Sequence, residues 1–494
     1  MPHPSLWMKL IELRHSRWFA PWRVLLCLLV AMTIWGLLDV RRRGYAYPES
    51  PGEHKSDLTV YTGAGAAFFD GRPPYEVCNP RGWTYVYPPM LAIALAPLHV
   101  LPMHEQVTVW FFICLLMCWG SYKECRRIVA FLVRDTDSAT APTARLLPWL
   151  GVIALATAVL PTLNCLQRGQ VTIVIFYFLV LGVRLLVTGA THWAHVIGGI
   201  VLAVPVAIKI VPILPIAVVL FMQMLVFLRA RWQRSEVAGR LGRCFASSTF
   251  GLALGLVLFF LVLPAALIGW KANLRHLDTW ADLVLCNADK STATPGFETD
   301  THSVRNQCLG NALYRLGNFG EYMLAGGPED PFVDEPNPPP RLMDAPSVNT
   351  CLLLARIALL CALLLAAVGM ARHRRVALSQ AAGFGLACVA LLVVSPVARN
   401  HYFILLAPGA LFVPLWLDQI GRRSAAVVFA VVPGVLILLQ YVLMPYVGRV
   451  GLLGLGTTAW LMAAMVLMTR VEPSGDRQPD RLDVGSSGVL SRAA

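Results

Sequence analysis

Charged residues are scarce in this chain. Asp, Glu, Lys and Arg together make up 14% of its 494 residues, whereas hydrophobic residues make up 57%. The mean hydropathy is +0.62. A water-soluble protein of this length needs a polar surface that such a composition does not supply. The composition therefore excludes a water-soluble globule and predicts an all-α, polytopic integral membrane protein.

Acidic residues are the rarer charged type. The chain has 28 Asp and Glu against 41 Lys and Arg, which gives a formal net charge of +13. Much of the excess lies in three connections, at residues 229–243, 372–375 and 422–423. Basic connections of membrane proteins tend to face the cytoplasm. The charge therefore indicates topology and contact with anionic headgroups of the lipid bilayer, and it does not indicate nucleic-acid binding.

A metal-binding signature is also missing. The twelve cysteines are mostly scattered through apolar segments, and no Cys or His spacing typical of a metal site is present. We therefore expect no cofactor. A single acidic residue with no evident partner favours metal independence without excluding a metal. Cys286 and Cys308 share one loop, where an oxidising compartment would allow a disulfide that spacing alone does not establish.

Long apolar runs predict about 12 transmembrane helices, within a range of roughly 11 to 13. Clear runs lie at residues 24–38, 146–163, 170–188, 246–269, 350–370, 376–396, 401–419, 424–445 and 449–469. Two longer tracts, 85–121 and 195–228, carry internal breakers. Either the first is a hairpin and the second one span, or the first is one span and the second is split near Lys209 to Pro215. Both versions place Asp57 outside the cytoplasm.

These runs divide the chain into three parts. Residues 1–23 contain Lys9, Arg14, Arg17 and Arg23 but no following cleavage site, which predicts a cytoplasmic N-terminus leading into an uncleaved signal anchor. Residues 24–470 form the transmembrane domain, with extracytoplasmic loops at 39–84 and 270–349 that bear short interfacial helices. Residues 471–494 are rich in Ser, Gly, Asp and Arg and predict a disordered cytoplasmic tail.

Carboxylates are nearly absent from the predicted spans. Asp418 is the only one in the confident spans, and the clear ionisable residues at membrane depth are Arg184, Lys209 and Arg356. Ion-coupled carriers usually place carboxylates near the bilayer midplane. The pattern therefore disfavours an ion-coupled transporter.

Asp57 stands out because it precedes an apolar stretch just outside the first span. Leu58, Tyr61, Gly65 and Phe68 recur at helical spacing and predict an amphipathic helix along the membrane surface. Either Ser56 or Asp57 then stands at the helix N-terminus, where a carboxylate commonly caps the helix. A structural cap and a chemical role are compatible, so both interpretations stay open.

Other polar and aromatic residues cluster in the same predicted loops. They are Tyr75, Trp83, Tyr85 and Tyr87 in the first loop, Arg305, Asn306, Gln307, Asn311, Tyr314 and Arg315 in the second, and Ser395 to Tyr402 in a later tight connection. The aromatic rings fit either sugar stacking or an interfacial belt. Asn306 and Gln307 fit either hydrogen bonds to sugar hydroxyls or closure of the loop.

The order of these features resembles glycosyltransferase family 87, polyprenyl-phosphate-sugar-dependent enzymes of the GT-C membrane superfamily. The elements that carry the resemblance are Asp57, residues 71–75 (Gly-Arg-Pro-Pro-Tyr), 85–89 (Tyr-Val-Tyr-Pro-Pro), 169–170 (Gly-Gln), 207–209 (Ala-Ile-Lys) before Pro212, 306–307 (Asn-Gln), 395–396 (Ser-Pro) and 401–402 (His-Tyr). They extend over nearly the whole chain.

The resemblance implies a GT-C-type fold and a mannosyltransferase-like enzyme of the cell membrane. It implies inverting transfer of a sugar, mannose first, from a polyprenyl-phosphate donor to a glycolipid or glycan acceptor on the extracytoplasmic side. A carrier or flippase of lipid-linked sugar is the alternative from a different class.

The resemblance also implies roles for individual residues. Asp57 is the expected general base, because an acceptor hydroxyl must lose a proton as it attacks. Cations or hydrogen-bond donors must stabilise the departing phosphate, with His401 ranked first, Lys209 and Arg168 next, and Arg305 and Arg399 also in the set. Gln170, Asn306, Gln307, Tyr75 and Tyr87 complete the predicted substrate-binding residues. Lys209 as a snorkelling lysine and Arg168 with Gln170 as a helix cap are the structural alternatives.

Overall fold

A computed structural model describes residues 21–43, 56–79, 83–134, 143–286, 306–317, 346–373, 375–443 and 447–469. Within these ranges the regular structure is helical, apart from two isolated β-bridges that join Cys78 to Thr84 and Asn306 to Arg399. The predicted all-α class is confirmed for the described residues. The predicted N-terminus and tail, Arg305, and the side chains of Cys286, Tyr314 and Arg315 lie outside the description.

Sixteen helices are named here in chain order. They are α1 (Pro21–Arg43), α2 (Leu58–Asp70), α3 (Pro89–Leu95), α4 (Met103–Arg134), α5 (Thr143–Arg168), α6 (Thr172–Thr188), α7 (His192–Ile208), α8 (Ile213–Trp232), α9 (Ala238–Ile268), α10 (Trp270–Trp280), α11 (Leu309–Gly317), α12 (Pro346–Ala371), α13 (Val376–Val394), α14 (Leu406–Gln419), α15 (Arg423–Val442) and α16 (Leu452–Thr469). Shorter 3₁₀ turns cover Pro74–Glu76, Ala96–Val100 and Asn400–Leu405.

Length and composition identify the helices that suit a bilayer. Among the described residues, nine helices of at least 18 residues are apolar enough to cross a membrane. Four shorter apolar helices are also present, at Leu26–Asp39, Pro89–Val100, Thr172–Thr188 and His192–Ile208. These helices confirm a polytopic membrane protein, and the number of twelve spans stays a prediction.

Proline residues account for the helix breaks in the two doubtful tracts. In the first, Pro89 starts the short helix α3, and only α4, which begins after Pro102, is long enough to cross a membrane. This arrangement agrees with the single-span version and not with the hairpin. In the second, α7 ends at Ile208 and α8 begins at Ile213. Proline lacks a backbone N–H, so Pro212 suits a helix start and not a helix interior. The version that kept 195–228 as one span is therefore wrong.

Two helices extend into ranges that were predicted as loops. Helix α1 continues to Arg43, past residue 39. Helix α12 begins at Pro346, before residue 349. Proline favours the first turn of a helix, which accounts for the start of α12. The predicted short helices inside both loops are present as α2, α10 and α11.

Helices α13 and α14 form the centre of the bundle. Nearly every residue of α13 from Leu378 to Val393 is buried, and α14 is buried from Leu406 to Asp418. Neither helix shows the one-sided polarity of a surface helix, and a helix that is apolar on all sides is expected to be surrounded by others. The connection between them, residues 395–405, therefore lies in the middle of one end of the bundle.

Hydrogen bonds identify the connections that meet at that end. Asp57 N donates to Arg168 O at 2.9 Å, and Gln307 N donates to Ala398 O at 2.8 Å. Lys209 Nζ donates to Tyr402 Oη, which adds the break between α7 and α8. We call this the Asp57 end of the bundle.

The basic connections meet at the opposite end. Arg229 donates to the carbonyl of Arg372, and Arg375 Nη1 donates to Gln419 Oε1 at 2.5 Å. Arg423 Nε lies 3.7 Å from Asp418 Oδ1. The three arginine-rich connections singled out in the sequence therefore lie together, at the end of the helices away from Asp57.

Candidate active site

Asp57 occupies the residue before the first turn of α2, but its carboxylate does not cap the helix. Ser56 Oγ accepts the N–H of Leu58 at 3.3 Å instead. The interpretation of Asp57 as a structural helix cap is therefore wrong. Asp57 is 8% exposed, so an almost fully buried carboxylate is left for another purpose.

The turn after α5 holds Asp57 in place. Gly169 adopts φ +66°, Gly169 N bonds Leu166 O at 3.3 Å, and Gln170 N bonds Cys165 O at 3.0 Å. This is the Schellman pattern, in which a left-handed glycine ends a helix. Ser56 Oγ donates to Arg168 O at 3.2 Å, beside the backbone bond from Asp57 N.

Glycine is required at position 169 for a second reason. A Cβ there would collide with Ser56 Oγ and approach Leu58 Cβ to 3.3 Å. The Gly169 carbonyl also accepts a hydrogen bond from Trp110 Nε1 at 3.1 Å, which ties the turn to α4. The start of α2 can therefore approach this turn closely. This approach fixes the position of the Asp57 carboxylate relative to the turn after α5.

Gln170 completes this arrangement. Its Nε2 donates directly to Asp57 Oδ2, and Gln170 is buried. Gln170 is one of the predicted substrate-binding residues, with helix capping as its structural alternative. The structure instead points its amide at Asp57, where it occupies one carboxylate oxygen and leaves the other available.

Two tyrosines continue from Asp57 towards α7. Tyr61 lies one helical turn after Asp57, and its hydroxyl is 3.4 Å from the hydroxyl of Tyr87. Their rings meet edge to face, with centroids 5.3 Å apart. Asp57 lies close enough to act electrostatically on both phenols. Burial raises the pKa of Tyr61 and of Tyr87, so both hydroxyls stay neutral at physiological pH.

Lys209 lies at the far side of Tyr87. The residue has an extended conformation directly after α7, which directs its side chain away from the helix axis. Lys209 Nζ donates to Tyr402 Oη, lies 4.2 Å from the centroid of the Tyr402 ring and lies 5.7 Å from that of Tyr87. These contacts hold the ammonium group of Lys209 against two aromatic side chains.

A mostly aliphatic cavity adjoins Lys209 and Tyr402. It has about 380 Å³ of open space, its mouth included, and lies between α6, the break before α8, and the end of α13. Its walls include Ile175, Val211 and Leu391. The cationic group therefore stands beside an apolar recess, an arrangement suited to a molecule with an anionic head and an apolar tail.

His401 lies next to this pair. It is 1% exposed, its ring packs edge to face against Tyr402 with centroids 4.4 Å apart, and neither ring nitrogen has a hydrogen-bond partner among the described residues. Arg168, Arg399 and Lys209 all lie close enough to act on it electrostatically. An imidazole with both nitrogens unused is available to a ligand.

Arg399 is buried and covered by an aromatic ring. Its guanidinium carbon lies 3.7 Å from the centroid of the Trp83 ring, a cation–π contact. Its backbone pairs with Asn306 in an isolated bridge. This pairing fixes the Ser395–Tyr402 connection against the second loop.

Asn306 and Gln307 bond main-chain groups. Asn306 Oδ1 accepts from Ala398 N at 2.9 Å and from Cys308 N at 3.3 Å, and Gln307 Nε2 donates to Gly448 O at 3.0 Å. Both residues are fully buried. These contacts correspond to the loop-closing interpretation of the pair.

Tyr75 and Tyr85 belong to the aromatic layer behind Tyr87. Tyr85 Oη donates to Pro88 O at 2.6 Å and accepts from Ala92 N at 3.2 Å, so this hydroxyl is used in the turn before α3. The Tyr75 ring packs against Phe68 and Tyr85, and its hydroxyl has no hydrogen-bond partner among the described residues.

The site thus brings together Asp57, Gln170, Tyr87, Lys209 and His401, with Arg168 and Arg399 alongside. Sequence reasoning did not select Tyr61, although its place four residues after Asp57 on a predicted helix was a usable signal. Tyr402, which is part of the His-Tyr pair, was given no role of its own. Within the described parts of the chain, no group of three or more His, Cys, Asp or Glu side chains is arranged to hold a metal ion.

A comparison with protein families identifies the class of protein to which this site belongs. A sequence profile described as glycosyltransferase family 87 matches residues 85–396, more than half of the chain. The protein is a membrane glycosyltransferase, which acts on a sugar donor and an acceptor. It belongs to glycosyltransferase family 87, a family of the GT-C type. No curated protein and no solved structure matches the chain.

The matched range covers part of the site. Tyr87, Arg168, Gln170 and Lys209 lie within it, whereas Asp57 and His401 lie outside it. The family membership predicted from the sequence is therefore confirmed. The roles of individual residues rest on the geometry described above.

Proposed function

We propose that the protein transfers a sugar, with mannose as the first candidate, from a polyprenyl-phosphate donor to a glycolipid or glycan acceptor. The transfer takes place on the extracytoplasmic side of the cell membrane and inverts the anomeric carbon. One observation carries the proposal. The buried carboxylate of Asp57 and the half-buried ammonium group of Lys209 lie on either side of the Tyr61–Tyr87 pair, close enough to act on it electrostatically.

Asp57 serves as the general base. The acceptor oxygen forms a bond to the anomeric carbon while its proton passes to the Asp57 carboxylate. The bond between that carbon and the phosphate oxygen breaks, and its electron pair stays on the departing lipid phosphate. Gln170 supports this role because it bonds one carboxylate oxygen and fixes the direction of the other.

The cations on the other side of the tyrosines stabilise the departing phosphate. Lys209 is held near the cavity by Tyr402, and Arg168 and Arg399 lie near His401. Charges fixed before the reaction stabilise an oxyanion more effectively than groups that must reorganise. His401 contributes a ring nitrogen that no described residue occupies.

The lipid portion of the donor enters the aliphatic cavity. The walls beside Lys209 are aliphatic at Ile175, Val211 and Leu391, and they suit an isoprenoid chain whose phosphate stays at the ammonium group. The extracytoplasmic assignment is supported by the arginine-rich connections, which meet at the end of the bundle opposite Asp57. Such connections usually face the cytoplasm.

We propose no resident metal, because fixed cations already neutralise the phosphate in this scheme. Transfer is then unaffected by EDTA and is not increased by added Mg²⁺ or Mn²⁺. A rate that falls with EDTA and returns with one of these ions would contradict this part of the proposal.

The central test compares Asp57→Asn with Asp70→Asn in proteoliposomes supplied with a panel of labelled polyprenyl-phosphate sugars and acceptors. Asp70 ends the same helix but is exposed and paired with Arg72 at 2.8 Å. We expect Asp57→Asn to abolish product formation with an unchanged melting temperature, and Asp70→Asn to retain wild-type turnover. Full activity in Asp57→Asn would remove the base assignment.

The same vesicles test the alternative class. A flippase moves labelled donor across the bilayer and makes no glycosylated product. Movement without product in the wild-type protein would replace the transferase proposal with the carrier.

A further inference from the structure

Two tyrosine hydroxyls occupy the space between the proposed base and the proposed phosphate site. Tyr61 follows Asp57 by one helical turn, its hydroxyl contacts that of Tyr87, and the Tyr87 ring lies 5.7 Å from Lys209 Nζ. In an inverting displacement the acceptor oxygen, the anomeric carbon and the phosphate oxygen are roughly in line. The sugar being transferred must therefore lie between Asp57 and Lys209, alongside this pair.

The pair has unused hydrogen-bonding capacity. Each phenol has one O–H donor and an oxygen that also accepts. Their mutual contact, at 3.4 Å, is the only hydrogen bond that either hydroxyl makes among the described residues, and it uses one of the two hydrogens. Tyr61 is 2% exposed and Tyr87 is 9% exposed, so the second hydroxyl hydrogen does not bond bulk water. A buried donor without an acceptor costs about 1–3 kcal/mol, which a bound hydroxyl would recover.

The rings themselves are already occupied. Tyr87 packs against Tyr61 and, at a centroid distance of 5.8 Å, against Tyr85, while Lys209 approaches its face. These contacts disfavour stacking of a sugar on the Tyr87 ring, one of the two interpretations that the sequence allowed. The hydroxyl is the part of Tyr87 that a ligand can use.

We infer that the paired hydroxyls of Tyr61 and Tyr87 bind one ring hydroxyl of the transferred sugar and thereby select which sugar is used. The inference rests on the proposed function, because it takes its direction from the base and the phosphate site. A neutral ring hydroxyl is the matching ligand, since it accepts from one phenol and donates to the other. The pair is therefore a specificity-determining site of the donor pocket.

The test uses the full-length protein in proteoliposomes, a lipid-phosphate sugar that the wild-type protein accepts, and its monodeoxy analogues. We expect the wild-type protein to lose roughly 10- to 100-fold in kcat/KM for one analogue, the one that lacks the bound hydroxyl. Tyr61→Phe or Tyr87→Phe should lower kcat/KM for the full sugar but reduce this discrimination to less than about threefold. Discrimination at the other ring positions should stay as in the wild type.

Tyr85→Phe is the matched control, because its hydroxyl bonds only the main chain of Pro88 and Ala92. It should lower the melting temperature and keep the wild-type discrimination ratio. Where a Phe variant turns over too slowly, the same ratio is measured from donor Kd values in an Asp57→Asn background. Wild-type ratios at every position in both Phe variants would overturn the inference alone. A wild-type protein that neither binds nor uses any lipid-phosphate sugar would overturn the proposed function and the inference with it.

Discussion

The side-chain amide of Gln170 donates a hydrogen bond to the carboxylate of Asp57, across 113 residues of chain. The donor comes from the turn after α5 and the acceptor from the start of α2, and both residues are buried. A hydrogen bond to an ionised carboxylate contributes about 1.5–3 kcal/mol, more than a neutral one. Gln170 is therefore a positioning residue for the proposed base.

This contact predicts a loss of turnover. In Gln170→Met the Asp57 carboxylate loses the donor that fixes its direction, and we expect kcat/KM to fall roughly 10- to 100-fold because the base is no longer held in line with the acceptor. Gln170→Glu should lower kcat/KM further, because a second carboxylate beside Asp57 repels the first. Steady-state kinetics with a lipid-phosphate sugar measures both variants.

Gln106 provides the control for this experiment. It is similarly buried, and its Nε2 donates at 2.7 Å to the carbonyl of Leu101, away from Asp57. Gln106→Met should lower the melting temperature and leave kcat/KM at the wild-type value. A kcat/KM that stays at the wild-type value in both Gln170 variants would show that Gln170 does not position the base.

Replacement of Gly169 and of Gly71 by alanine should lower the stability of the protein by different amounts. Both have positive φ, at +66° and +70°, where an alanine costs about 1–2 kcal/mol. A Cβ at Gly71 meets nothing within 4 Å, whereas one at Gly169 collides with Ser56. We expect Gly71→Ala to lower stability by this backbone cost alone and Gly169→Ala to lower it by clearly more, with loss of transfer because the start of α2 is displaced.

Thermal melting and transfer assays on the single variants measure this difference. Ser56→Ala removes the Oγ atom that the new Cβ meets, so the double variant Ser56→Ala/Gly169→Ala should recover part of the loss. Equal destabilisation by Gly71→Ala and Gly169→Ala would mean that the approach of α2 to the turn does not hold Asp57.

Local sequence patterns predicted the helices and their breaks well where one strong signal acted alone. Apolar runs located the helices, and one of the two versions left open placed a break near Lys209 to Pro215, where α7 ends and α8 begins. The periodicity after Asp57 located α2. In each case the deciding physics, burial of an apolar segment or the missing N–H of proline, operates over a few residues.

Contacts between distant segments were not predictable in the same way. Arg184 was predicted to be an ionisable residue at membrane depth, with no partner assigned, and its Nε donates to Glu124 Oε2 at 2.7 Å. Glu124 follows the apolar run of α4, so local hydropathy gave no reason to place it inside the bundle. The resemblance implied substrate binding for Gln170 and Asn306, with helix capping and loop closure as the structural alternatives. Their partners, Asp57 and Ala398, become neighbours only once the helices pack.

Two variants of Lys209 should separate the effect of its positive charge from the effect of its side-chain shape. Lys209→Met removes the ammonium beside the cavity, and we expect kcat to fall roughly 10²- to 10³-fold, as for loss of one oxyanion-stabilising donor. Lys209→Arg keeps the charge but not the compact geometry that fits Tyr402, so it should retain part of the activity. Steady-state kinetics with a lipid-phosphate sugar measures both.

Arg356→Met is the control for a cation lost at membrane depth. Arg356 lies in α12, outside the residues that line the cavity, and should leave kcat/KM unchanged. Similar losses in Lys209→Met and Arg356→Met would indicate a general effect on the membrane fold and would remove Lys209 from the phosphate site.

His401 predicts a variant that loses activity without losing stability. Neither ring nitrogen has a hydrogen-bond partner among the described residues, so replacement by an apolar ring breaks no bond within them and removes a buried polar group. His401→Phe keeps an aromatic ring against Tyr402. We expect its melting temperature to equal or exceed that of the wild type, while turnover falls by at least roughly 10²-fold because the phosphate loses a donor.

His195→Phe is the matched control, for which we expect the opposite result. His195 is also a buried histidine, but its Nδ1 lies 3.2 Å from Ser248 Oγ, a hydrogen bond between α7 and α9. This variant should melt at a lower temperature while its folded fraction turns over normally, because the bond it loses is structural. If His401→Phe instead loses stability and its folded fraction works at the wild-type rate, then His401 supports the fold and the phosphate must be stabilised by Lys209, Arg168 and Arg399 without it.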